Sequence, residues 1–167
     1  LTERASQQSG EVSSNDWYLA QSNQGERLWK AGQTQQAAAI FQNILNALGE
    51  TASYQRCITL GRLGRCLKSK GRSPEALTLY HQAIAVAQQL ELDDRVKRQI
   101  GALQTDLGDV LRAMGDYGAA RTAYEQSLAI AQELGDERGK AVVLGQLGTL
   151  ALFEGNLAEA AQRYQVA

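Results

Sequence analysis

Five cations stand between Thr51 and Lys70 with no acid among them: Arg56, Arg62, Arg65, Lys68 and Lys70. A guanidinium takes a carboxylate through two parallel hydrogen bonds, so this run offers capture of an acidic peptide or a chain terminus. The competing reading is structural. Asp106 and Asp109 stand at places equivalent to Arg62 and Arg65 further along the chain, and surface charges commonly pair locally or stay solvated. Covalent chemistry finds no support. His81 is the only histidine; it follows a tyrosine inside an expected helix and has no Ser, Cys or acid around it at a recognisable spacing, so it reads as a solvated surface side chain. One histidine and two cysteines cannot close a metal site. Cys57 and Cys66 fall on one expected helix about 13 Å apart along its axis, too far for a disulfide, and read as free thiols. Gly61-Arg62-Leu63-Gly64 follows no strand and precedes no Gly-Lys-Ser/Thr, which rules out a phosphate loop. No catalysis, metal or cofactor is expected.

The elements that would position such a patch are written in a recurring phrase. Gly25, Gly64, Gly108 and Gly148 each begin it; a second glycine follows at seven residues (Gly32, Gly71, Gly115, Gly155), an alanine at twelve (Ala37, Ala76, Ala120, Ala160) and an aromatic at sixteen (Phe41, Tyr80, Tyr124, Tyr164). The copies begin 39, 44 and 40 residues apart, a period that accommodates two helices and two turns and marks a repeat array. The second glycine is a turn, because a helix commonly stops where a residue enters the left-handed region that glycine visits cheaply. The first lies mid-helix, at a cost of about 1 kcal/mol against alanine, which implies a close neighbour there. The alanine is the expected partner, with the aromatic filling the space beside the contact and Tyr80, Tyr124 and Tyr164 in the core.

Helices are expected at about 16–31, 34–48, 51–70, 73–90, 93–114, 117–134, 137–154 and from 157 onward. Ser73-Pro74-Glu75 reads as a cap hydroxyl, a proline in the first turn and a carboxylate at the positive end of the dipole. Gly49 and Gly135 stop helices, and Asp93 and Asp136 open the next ones. Residues 1–15 are polar, carry no copy of the phrase and read as an N-terminal leader; the array occupies 16–167, in units of about 16–49, 50–91, 92–135 and 136–167.

The phrase resembles the tetratricopeptide repeat. The match is cleanest in Leu107-Gly108, Leu111, Gly115-Asp116-Tyr117, Ala120, Tyr124 and Ser127-Leu128, and it continues through Leu63-Gly64, Leu67, Gly71, Ala76, Tyr80, Ala83, and through Leu147-Gly148, Gly155, Ala160, Tyr164, Ala167. The first copy departs most, with Gln24 and Thr34 at places usually Leu and aromatic. The long unit is similar to the long-helix variety found in kinesin light chains, spindle-orientation adaptors and bacterial signalling proteins. The resemblance implies an all-α, right-handed superhelical solenoid of antiparallel helix pairs with four repeats, the last incomplete. It also implies that the first helix of each pair lines a concave groove. Positions around the mid-helix glycine then give the candidate peptide-binding residues: Ser22, Glu26 and Trp29; Gly61, Arg62, Arg65 and Lys68; Thr105, Asp109 and Arg112; Gly145 and Thr149. Trp29 is either an anchor or packed against the leader or the Gly32 turn. Gly61 and Gly145 either leave hollows for a ligand backbone or admit close helix packing. Ser22 and Glu26 replace the Lys and Asn with which chaperone adaptors of the family clamp a terminal carboxylate, so that duty is not expected.

Composition agrees. The 44% hydrophobic content supplies a core, and the single proline suits an almost wholly helical chain. A net charge of −1 gives no global field to draw nucleic acid or an anionic membrane, and the most apolar stretch, 141–153, is broken by Gly145, Gln146, Gly148 and Thr149, so no membrane span is expected. Reduced cysteines fit the cytoplasm. The expected function is a protein–protein interaction scaffold, part of a larger protein, that binds a peptide segment of an acidic partner in its groove. The alternative is a self-associating or regulatory sensor arm of a bacterial signalling protein, with a homo-oligomer formed through the apolar C-terminal repeat. Replacing Arg62, Arg65 and Lys68 by Glu is expected to abolish capture and leave the fold intact.

Overall fold

The computed structural model describes residues 2–166, with side chains for 14–156 and 158–165; Leu1 and the phrase's Ala167 lie outside the described residues. Eight helices and no strand occur among those residues: α1 Thr2–Lys30, α2 Thr34–Leu48, α3 Tyr54–Ser69, α4 Ser73–Gln88, α5 Asp94–Ala113, α6 Tyr117–Leu134, α7 Glu137–Phe153 and α8 Leu157–Val166. The polar segment expected as a leader is helical from Thr2 and continuous with the rest of α1.

Each first helix ends by the same device. The second glycine adopts the left-handed backbone, with φ of 75° at Gly71 and 84° at Gly115, and the N–H one residue later reaches back to the last turn: Arg72 to the Leu67 carbonyl and Asp116 to that of Leu111, both at 2.9 Å. The chain therefore reverses sharply and lays the second helix against the first. Asp93 and Asp136 open α5 and α7 by accepting the Val96 and Gly139 N–H groups at 2.9 Å. Ser73 does not cap α4. The helix starts at Ser73 itself with Arg72 at the cap position and no side-chain bond to the free N–H groups; Arg72 instead holds Glu75 of the first turn.

The close partner of the mid-helix glycine is the aromatic ring, not the alanine. A Cβ at Gly108 would lie 2.5 Å from Tyr124 Cε1, and one at Gly64 would lie 2.9 Å from Tyr80 Cε1, so each ring lies flat on a stretch of helix that no side chain can share. The ring is long enough to cross the gap between the helices, whereas the alanine lets the backbones come near one level further along. Ala37, Ala76 and Ala120 are fully buried, as are Phe41, Tyr80 and Tyr124. Tyr164 departs from expectation: it lies on Gly148 in the same way, yet 46% of it is exposed, since no helix among the described residues covers the outer side of α8.

Pairs stack in order. α2 packs on α3, α4 on α5 and α6 on α7, while the first helices also meet each other, α3 with α5 and α5 with α7. The core is consequently one continuous layer, running from Tyr18 and Phe41 through Tyr80, Leu103 and Tyr124 to Leu147 and Leu150. An all-α solenoid results, in which each pair buries its apolar face only against its neighbours.

Candidate functional site

The first helices stand side by side, and their polar residues form a seam between pairs. Glu26 of α1 forms an ion pair with Arg62, 3.0 Å from its Nε, and accepts from Arg65 Nη2 at 2.6 Å. Arg62 also donates to the hydroxyl of Ser22, which is buried. The Arg65 guanidinium lies over the Trp29 ring, 4.3 Å from its centroid, so Trp29 packs under the next pair, not against the leader or the turn at Gly32. One pair further on, Lys68 Nζ stands 3.4 Å from Asp109 Oδ2, and Arg112 donates to Gln146 Oε1 at 2.9 Å.

Only one rung joins equivalent places: Glu26 and Arg65, each one residue after its mid-helix glycine, while the other ion pairs of the seam are staggered by about one turn. Arg62 and Arg65 do not face Asp106 and Asp109 at equivalent places; Arg62 reaches back to Glu26, and Asp109 is met by Lys68, three residues beyond Arg65. Two of the contacts, Glu26 with Arg62 and Lys68 with Asp109, join a residue of one pair to a position three residues earlier in the phrase of the next, an axial stagger of the parallel first helices. Arg62, Arg65 and Lys68 are thus each held by an acid of a neighbouring pair and are 27%, 30% and 37% exposed at the side chain.

Asp109 is the junction of the seam. Its Oδ1 accepts the Tyr124 hydroxyl at 2.5 Å and lies 3.9 Å from Arg112, while Oδ2 faces Lys68. The residue after the mid-helix glycine thereby satisfies the hydroxyl that the ring carries under it. Thr149 does the same for Tyr164 at 2.9 Å, and in the first pair, where this residue is Glu26, the ring is Phe41, which has no hydroxyl to satisfy. In the second pair the position is Arg65, a donor, and the buried Tyr80 hydroxyl has no partner. Burial pushes the Tyr80 and Tyr124 phenols far above their ordinary value.

The remaining candidates fall as follows. Thr105 bonds to Ser127 Oγ at 2.8 Å and to the Gly101 carbonyl at 3.2 Å. Gly61 admits Leu103 of α5, which a Cβ there would meet at 2.9 Å, and also lines a small cavity of about 270 Å³ with Arg62, Arg65 and Asp106, so it serves helix packing and borders a hollow; at Gly145 nothing lies within 4 Å and the surface is open. Asp106, among the described residues, has neither an ion pair nor a hydrogen bond, and burial pushes its carboxyl up to about 6, against the opposing pull of Lys68. Cys57 and Cys66 are free and buried, with thiols pushed up to about 11 by desolvation, so both stay protonated and unreactive near neutrality. His81 is exposed on α4. No metal-ligating cluster occurs among the described residues, and no helix there is long and apolar enough to cross a membrane.

One feature escaped the sequence reading. A cavity of about 360 Å³ opens between α5, α6 and α7, lined by Ala102, Ile130, Leu134, Val142 and Val143 and rimmed by Arg98 and Arg138. The signal for it was the run Gly101-Ala102, two small residues where the preceding copy has Cys57-Ile58.

Comparison with known proteins fits this geometry. Models described as tetratricopeptide repeat match residues 18–43, 59–94 and 99–167. No curated protein sequence matches the chain. Among solved structures it is similar to BtubC from P. vanneervenii, at 17% identity and a TM-score of 0.79 over 91% of this chain and 62% of that one, so it spans less than two thirds of BtubC's length. It is also similar to the nearly identical TPR-like repeats of a kinesin light chain-type protein from Podosopora anserina (22% identity, TM-score 0.73, 88% of this chain and 72% of that one). A third similar structure is MamA (18%, 0.66, 89% and 75%). Identities this low carry the fold alone. With three models along its length and the solenoid of helix pairs in its structure, the chain belongs to the tetratricopeptide repeat family.

Proposed function

We propose that this chain is a non-catalytic scaffold that holds a peptide segment of a partner protein along the face formed by α1, α3, α5 and α7, as part of a larger protein. The observation that carries this reading is the seam itself. Hydrogen bonds and ion pairs from pair to pair fix the side chains of the inner face, from Ser22 to Gln146, before any partner arrives. A surface ordered in advance loses less entropy on binding. Its own polar groups are largely satisfied, so a segment lying on it would be read by shape and by the few groups left over. Acidic character of the partner rests on guanidiniums outside the seam, because Arg62, Arg65 and Lys68 are already engaged.

Photo-crosslinking tests the reading. A benzophenone side chain placed at Asn23, Thr105 or Gln146 on the inner helices should capture one and the same partner segment, and one placed at His81 on α4 should not. Equal capture from both faces would defeat the proposal. A second reading, self-association, draws on Val142, Leu152, Phe153 and Tyr164 of the last pair, each large and 46–60% exposed. Light scattering at two concentrations separates it, since only that reading requires mass to rise with concentration.

A further inference from the structure

The seam engages the cations of α3, yet four guanidiniums elsewhere, Arg27, Arg95, Arg98 and Arg138, have no acid partner among the described residues, and two of them share one cavity. Arg98 and Arg138 each lie ten residues before the mid-helix glycine of their pair, near the starts of α5 and α7, and both are exposed. They open on the same space, the cavity between α5, α6 and α7, which is floored by Ile130 and Leu134 and walled by Ala102, Val142 and Val143; the Asp136 carboxylate, which caps α7 through the Gly139 N–H, also lies on this lining.

This cavity has a cause in the repeat. At ten, seven and six residues before the glycine the second pair carries Tyr54, Cys57 and Ile58, whereas the third carries Arg98, Gly101 and Ala102. Bulky residues of α3 are thus replaced by glycine and alanine on α5, which widens the space toward α7; the junction of α3 with α5 keeps a smaller cavity of about 270 Å³ beside Ile58 and Gly61. Helix packing does not require glycine here: a Cβ at Gly101 would meet Ile130 at 3.4 Å, an ordinary contact, unlike the 2.5 Å clash at Gly108. About 12 Å along α5 from Arg98, Thr105 and the unpaired Asp106 also line the cavity and offer acceptors for main-chain N–H groups. Apolar walls with a few convergent polar groups, in a volume at the small end of the range for ligand pockets, suit one large side chain with its flanking backbone.

We infer that the cavity between α5, α6 and α7 anchors one bulky aliphatic or aromatic side chain of the partner peptide, with carboxylates flanking that side chain in the peptide taken by Arg98 and Arg138. The inference rests on the peptide-scaffold reading and specifies where the segment is gripped and what it must carry. The paired inner face contributes shape; the recognition chemistry sits at this one junction.

Fluorescence anisotropy of the whole chain with a fluorescein-labelled probe tests it, the probe being a glycine–serine peptide with one leucine between two pairs of aspartates. Expected are saturable binding, at least a tenfold loss when the leucine is changed to serine, and a similar loss with Ala102→Leu, which fills the cavity without altering charge. The pair Arg98→Glu with Arg138→Glu should weaken binding about tenfold and remove most of its salt dependence. Val142→Phe fills the same space from α7 and serves if Ala102→Leu shifts the thermal midpoint. Binding that ignores all these variants but falls with Arg112→Gln on the inner face would overturn the pocket while leaving the groove reading standing. No binding of the probe at millimolar concentration would also overturn it, with the crosslinking experiment still deciding the groove. Octanoate saturating the cavity while the peptide does not would assign it to small carboxylates instead and equally overturn the inference.

Discussion

The second and third helix pairs carry the same phrase and differ at the residue after the mid-helix glycine, Arg65 in one and Asp109 in the other. In the third pair that residue looks inward, taking the Tyr124 hydroxyl and collecting Lys68 and Arg112 around one carboxylate. In the second it looks outward to Glu26 and Trp29 of the preceding pair and leaves the Tyr80 hydroxyl buried without a partner. An acid at this position thus serves its own tyrosine and the preceding pair together, whereas an arginine there serves only the preceding pair. The array needs both. Were every such position an acid, no cation would stand there to receive the preceding carboxylate; were every one a cation, each buried tyrosine would lack an acceptor.

The comparison breaks first at Asp109. Asp109→Leu orphans a buried hydroxyl and strips two cations at once, and should cost about 2–4 kcal/mol in urea unfolding. Arg65→Leu leaves Glu26 with Arg62 and should cost about 1 kcal/mol or less. Equal losses would mean the two positions do the same job.

The glycine under the ring comes next. Gly108→Ala drives a methyl against a ring locked in the core and should cost about 1–3 kcal/mol after the gain in helix propensity. Gly148→Ala extends the comparison to the last pair, where the Tyr164 ring is 3.1 Å from the added Cβ and half exposed. That ring can move aside, so thermal unfolding should show no loss, or a gain of up to about 1 kcal/mol.

Removing the hydroxyls sharpens the contrast. Tyr124→Phe should destabilise by about 1–2 kcal/mol, because a charge-assisted bond is lost and the Asp109 carboxylate loses a donor. Tyr80→Phe should be neutral or slightly stabilising, since a buried group without a partner disappears. A pH-dependent effect is expected at the position two before the glycine, where Arg62 is paired and Asp106 is not. Burial holds the Asp106 carboxyl up to about 6 in the folded chain, against an unfolded value of about 3.9. A raised acid binds more protons folded than unfolded, so its contribution is full below about pH 4 and is lost as pH rises through about 6. Asp106→Asn should therefore be more stable than the parent at pH 7 by about 1 kcal/mol, allowing for solvent screening, with the difference shrinking to nothing near pH 4. A constant difference across that range would place the cause elsewhere.

Much of the fold was legible because its causes are local. α2 and α6 run over 34–48 and 117–134 as expected, since left-handed glycines and aspartate caps act within a few residues of themselves. Even there, Ser73 was misread: serine beside proline fits a cap, but the helix takes it as its first residue. What depends on the offset between neighbouring rods could not be read from spacing. The phrase places Arg62 level with Asp106, and it is the axial stagger of neighbouring first helices that brings Glu26 to Arg62 and Lys68 to Asp109. The ring on Gly108 and the exposure of Tyr164 depend in the same way on what lies across a gap. Gly101 and Ala102 were visible as small residues, but the cavity they leave belongs to three helices at once.

The claim beneath all of this is that the α3 cations are part of the stacking, tied to α1 and α5, and not a free anion-binding patch. Urea unfolding of Arg62→Glu with Arg65→Glu, alone and with Glu26→Arg added, tests it most directly. The expected result is a loss of about 2 kcal/mol in the double variant, contrary to an intact fold of unchanged stability, with most of it recovered when the partner's charge is reversed too. Stability untouched by the double variant, or a loss that Glu26→Arg fails to restore, would contradict it.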